Sequence, residues 1–136
     1  MTAIITKPYV FKDGTIKIDA DNYESAVSSF QLTPATQTLT FQAVTPSGAF
    51  TDSTTPTWVA AIGYAQDWET AGSLSQYLMD HAGETKTLIF EPKAGGTRFT
   101  QDVTIAPGPI GGAGNTVQVA TVNLGVIGQP VRTPAV

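Results

Sequence analysis

The chain has 136 residues, enough for one domain whose core hides roughly two-thirds of the unfolded surface. With no cysteine and a single histidine, disulfides, thiolate nucleophiles and zinc–thiolate centres are excluded, and any metal would have to rest on carboxylates. Only 13% of residues are charged, about half the usual quarter, and the net charge of −4 comes without the basic patch that tight binding to nucleic-acid phosphates needs.

Polar positions are filled mostly by Thr, Ser, Gln and Asn, which lose less on desolvation than Lys or Glu, so the surface suits being covered. The segment Met1-Thr2-Ala3-Ile4-Ile5-Thr6-Lys7-Pro8 has neither a basic n-region nor a long apolar stretch. No apolar run approaches the roughly 18 residues of a membrane span. Synthesis and folding in a cytoplasm are therefore expected.

Strand signals follow in quick succession. Asp13-Gly14 between Pro8–Lys12 and the alternating Thr15–Asp19 predicts an N-terminal hairpin over about residues 4–19. Tyr23 to Leu32 reads as strand until Pro34 stops it, and Thr38–Ala43 alternates with Leu39, Phe41 and Ala43 facing inward. A Thr-, Ser-, Pro- and Gly-rich stretch over about 45–57 reads as a projecting loop or irregular hairpin. It carries Phe50 near its middle, and Phe50 and Asp52 are its candidate docking residues.

Thr57 to Gln66 is apolar on both faces, as in a central strand covered on each side. After it comes the one helical pattern, about residues 72–83. Ser73 and Gln76 form a capping box, Gly83 supplies a left-handed stop, and Leu74, Tyr77, Leu78, His81 and Ala82 share a stripe. Leu74, Tyr77 and Leu78, with Trp58 and Trp68, are expected to dock this helix on the sheet. Thr87–Glu91 and Arg98–Ile105 flank Pro92-Lys93-Ala94-Gly95-Gly96 as a hairpin. A Gly-rich connection then leads to a long uncharged strand, Thr116–Ile127, and an extended tail over about 128–136. As an exposed edge that last strand would template pairing with other chains, so either the sheet closes or a neighbour covers it.

Catalytic readings find little support. Asp67, Glu69, Asp80, His81 and Glu84 crowd the helix, where a divalent ion or acid–base pair is conceivable, but helix-end electrostatics account for them. Gly111-Gly112-Ala113-Gly114 lacks the Lys-Ser/Thr pair and the helix of a phosphate loop. No Gly-x-Ser-x-Gly elbow is present. Trp58, Tyr64 and Trp68 read as core and docking aromatics rather than a sugar platform.

The order of the Trp58 strand, Ala65-Gln66-Asp67-Trp68, the Gly72-Ser73-Leu74-Ser75-x-Tyr77-Leu78 helix, Gly83-Glu84, Phe90-x-Pro92, Gly95-Gly96, Pro107-Gly108-x-Ile110-Gly111-Gly112 and Gly128-Gln129-Pro130 resembles the major tail proteins, or tail tube proteins, of long-tailed bacteriophages. The likeness spans about residues 13–130. It implies a mainly β fold, a single β-sandwich or barrel-like domain of tail-tube type with one flanking helix. It also implies a non-enzymatic virion protein without cofactors or membrane contact, whose hexameric rings stack into the conduit for DNA delivery. Implied partners are further copies of itself, a tape measure protein and the tail terminator and distal tail proteins, with DNA passing through unbound. Inner-wall acids would repel that DNA. Glu91 and Asp102, opposite apolar neighbours on their strands, are the candidates, and solvated outer-face carboxylates are the other reading of the same pattern. The alternative function is a β-sandwich decoration, neck or terminator protein acting as a binding module.

Overall fold

A computed structural model describes residues 2–134. In chain order the elements are β1 (Thr15–Ile18), β2 (Asp21–Asn22), β3 (Val27–Ala35), β4 (Thr38–Gln42), β5 (Ala49–Ser53), β6 (Thr57–Ala65), α1 (Leu74–Asp80), β7 (Thr85–Glu91), β8 (Arg98–Thr104) and β9 (Val119–Thr133). Seven strands form one antiparallel sheet in the order β2-β1-β7-β8-β9-β6-β3, and β4 pairs with β5 separately.

The large sheet coils onto its own apolar face. Phe30 on β3 and Phe90 on β7 stand four strand spacings apart along the sheet, which in a flat sheet is about 19 Å. Their ring centroids are instead 4.3 Å apart. Twist and coiling therefore bring distant strands face to face, giving a mainly β, barrel-like domain with one helix. Strict alternation feeds the enclosed core. Ala60, Ile62 and Tyr64 of β6, Leu88 and Phe90 of β7, and Ala120, Val122 and Leu124 of β9 point in, and α1 adds Leu74 and Leu78.

The helix matches its sequence signals closely. Ser73 is the N-cap, its hydroxyl accepting from the Gln76 amide at 3.5 Å. The Gln76 side chain does not return to Ser73, as a full capping box would require, but donates to the Trp68 carbonyl at 2.6 Å. Gly83 sits at φ +88°, where a side chain would be strained.

Several expectations need correction. No hairpin opens the chain at Asp13-Gly14: β1 turns at Asp19-Ala20 into β2 and pairs on its other side with β7. The β7 partner wins because it sets Ile16 and Ile18 beside Phe90 and Leu88 in the core, whereas Pro8–Lys12 has no strand partner and Asp13 makes one bridge, to Lys93. The Tyr23–Leu32 strand is split by a turn whose Ala26 amide donates to the Tyr23 carbonyl. From Val27, β3 then runs through Pro34, which is tolerated because β3 is an edge strand and a missing N–H there costs no ladder bond.

In the region 45–57 the hairpin reading holds over the loop, since Ala49–Ser53 forms β5 and pairs with β4, with loop before it and at Thr54–Pro56, while Leu39 and Phe41, expected inward, are exposed. Finally, β9 does not end at Ile127. Gly128, at φ +79°, opens a bulge: Asp102 pairs with Ile127 but Thr100 with Val131, so three residues of β8 face five of β9 and the strand resumes to Thr133. Much of the expected tail is thus strand, and Ala135 and Val136 lie outside the described residues. Because β9 lies between β8 and β6, its uncharged length is not a sheet edge.

Candidate assembly interface

β4 and β5 form an arm on the connection from β3 to β6. Register places Leu39 opposite Asp52 and Phe41 opposite Phe50, so all four share one face, while Thr38, Thr40, Thr51 and Ser53 occupy the other. The arm is therefore amphipathic, yet none of the described residues covers its apolar face. Phe41 is 64% exposed, Phe50 60% and Leu39 52%. A closing turn over residues 43–48 holds the ribbon, the Ala43 amide donating to Gly48 and the Gly48 amide to Thr45. Of the two residues singled out for docking, Phe50 thus stands on an exposed strand beside Phe41, and Asp52 on the same face accepts from the Ser53 amide at 2.8 Å.

A second uncovered apolar region lies at the same end of the sheet. Residues 2–10 form no strand, and Ile4, Ile5, Tyr9 and Val10 are exposed. Beside Tyr9 opens a cavity of about 690 Å³ walled by Phe11, Phe30, Trp58, Phe90 and Phe99, with Arg132 also in its lining. Phe11 meets Phe90 edge-on at 5.5 Å.

Trp58 belongs to this wall and not to the helix contact expected for it, because Trp58 and Tyr64 occupy opposite ends of one strand, about 20 Å apart. The same separation removes a shared sugar platform. Trp68 is joined to the helix through its backbone carbonyl, and its indole N–H donates to Gln66 Oε1 at 3.2 Å. Leu74, Tyr77 and Leu78 are buried, as expected, together with Ser75, and the Tyr77 ring meets Tyr23 at 5.7 Å with the planes tilted by 50°.

Glu91 and Asp102 lie on the sheet face turned away from the core. Asp102 is exposed and accepts from the Thr87 hydroxyl at 2.9 Å. Glu91 is held in the β7–β8 turn, by Arg98 at 3.3 Å and the Gly95 amide at 3.2 Å. Around them this face is weakly charged, with Thr100, Thr104, Thr121 and Asn123 alternating outward.

The titratable groups near the helix form local structure. Asp67 accepts from the Glu69 and Thr70 amides, both at 3.1 Å, and the Thr70 hydrogen bonds hold its carboxyl below the usual range. Glu84 is lowered chiefly by its hydrogen bond with His81 at 2.9 Å and further by Lys86. Among the described residues no group of three His, Cys, Asp or Glu is placed to hold a metal. Among the described residues no helix is long and apolar enough to cross a membrane. What the geometry offers among the described residues is exposed apolar area suited to docking.

No family model matches the chain, and no curated protein matches it. Sequence reading missed two structural positions. Gln66 clamps the Gly-rich connection, donating to the Gly111 carbonyl at 3.0 Å and accepting from its amide at 2.9 Å. Nothing in a lone Gln signals a partner 45 residues away. Phe41 was assigned inward from alternation, which shows that a strand has two faces but not what covers the apolar one.

Proposed function

We propose that this chain is a structural subunit that self-assembles into hexameric rings, stacked as a bacteriophage tail tube that conducts DNA into the host. The observation that carries the reading is the amphipathic arm, whose Leu39, Phe41 and Phe50 stay open to solvent in the isolated chain. Exposed apolar area arranged on a hydrogen-bonded ribbon is a mark of protein–protein contact. The apolar N-terminal segment adds to it, and the weakly charged outer face of the sheet suits a wall that DNA slides past. Ring number and tail location rest on the sequence resemblance alone.

Negative-stain microscopy of the purified chain at high concentration tests the reading. Rings or tubes are expected; particles of monomer size under every assembly condition would sink it. Discrete closed rings that never stack would favour the terminator or neck alternative, since a tube subunit needs two complementary faces and a terminator only one.

A further inference from the structure

The charges of this sparsely charged chain are sorted along the strand direction. Strand register fixes two ends. Thr15, Glu91, Arg98 and Thr133 align at one, beside the aromatic cavity, while Thr85 and Thr104 align at the other, where α1 leads into β7. At the cavity end Lys7, Lys12, Lys93 and Arg132 line the cavity or its neighbouring clefts, and Arg98 is paired with Glu91. Asp13 and Glu24 are the other carboxylates there, Glu24 in a cleft with Phe11 and Lys12, with Asp52 on the arm that leaves this end.

The helix end carries the opposite sign. Asp19 and Asp21 follow β1, Asp67 and Glu69 precede α1, Asp80 closes it, and Glu84 leads into β7. Lys86, at 3.7 Å from Glu84, and Lys17, paired with Asn22 beside Asp21, are the cations near them. Asp19, Asp21 and Glu84 all act on Tyr77, and Asp67 shares a cleft with Asn22 and Tyr23, so these carboxylates form one neighbourhood.

We infer that copies of this chain associate with polarity, the cation-rimmed aromatic cavity end of one receiving the carboxylate-rich helix end of the next. This rests on the self-assembly proposed above. Two cavity ends brought together would oppose cation to cation, and two helix ends carboxylate to carboxylate; only unlike ends attract. A contact between two different faces is heterologous and leaves a free face of each kind, so addition continues along one axis.

Four exposed charges give the test, in a chain otherwise unchanged. K93E/R132E reverses the cavity end, E69K/D80K reverses the helix end, and a quadruple variant reverses both. Circular dichroism and melting should match the natural chain for all three; if a double variant misfolds, the single reversals K93E and E69K replace it.

Each double variant should raise the concentration needed for assembly, read by light scattering, by on the order of tenfold, and added salt should weaken assembly of the natural chain. The quadruple variant should return to within about threefold of the natural chain, because non-additive rescue is the signature of ends in contact with each other. A quadruple variant no better than the worse double, or doubles that assemble like the natural chain, overturns the polarity and leaves self-assembly standing. A natural chain that never assembles removes self-assembly itself, and the polarity with it.

Discussion

β6 and the β4–β5 arm are built from similar residues and meet opposite fates. Both alternate, both present large apolar side chains on one face, and they are joined through three residues, Thr54–Pro56. Yet Ile62 of β6 is wholly buried while Phe41 of β4 is mostly exposed. The difference is one of neighbours: β6 is paired on both sides by β3 and β9 and closed over by a coiled sheet, whereas β4 and β5 pair only with each other. Alternation specifies a face that needs covering, and the cover can come from the same chain or another.

The comparison breaks most sharply on stability. Ile62→Ala should cost about 3 kcal/mol in urea unfolding, through lost burial and the cavity left behind, while Phe41→Ala should cost no more than about 0.5 kcal/mol in the monomer. Equal costs would mean that the arm is part of the folded core after all.

A second, smaller effect belongs to the covered region alone. Burial, with Asp21, Tyr77 and Asp19 nearby, pushes the Tyr23 hydroxyl from 10.0 up to about 12. The folded state then holds its proton where the unfolded state releases it. This contribution is complete below pH 10.0 and is lost as pH rises toward about 12. It is worth on the order of 2 kcal/mol. Tyr23→Phe should flatten the alkaline fall in melting temperature; an unchanged slope would show that Tyr23 does not drive it.

Smaller again is the helix cap. Ser73→Ala should lower stability by about 1 kcal/mol in thermal unfolding, by removing the side chain that caps Gln76. No change would mean that Asp67 and Trp68 hold the helix start without it. Smallest on stability, and largest on association, is Phe50→Asp. It should shift unfolding by no more than about 0.5 kcal/mol because its site is open to solvent.

The division between legible and hidden features follows the range of the interactions. The α1 cap, the positive-φ Gly83 and the β7–β8 hairpin are set within a few residues, and sequence showed all three. Coiling of the sheet, which puts Phe30 on Phe90, and the Gln66 clamp on Gly111 are fixed by partners 45 or more positions apart. Asp13-Gly14 carries a strong local turn signal, but the pairing of β1 with β7 buries Ile16 and Ile18 and overrides it. For the candidate interface, sequence marked Phe50 but not its partner Phe41, because that face could be assigned only once the core was seen to be full without it.

Sedimentation velocity over a wide concentration range, with the natural chain and Phe50→Asp side by side, tests the central claim most directly. The natural chain should move from monomer to large species as concentration rises, and Phe50→Asp should remain monomeric with an unchanged melting curve. A natural chain that stays monomeric throughout, or a Phe50→Asp chain that associates equally well, would contradict the assignment of the uncovered arm as an assembly surface.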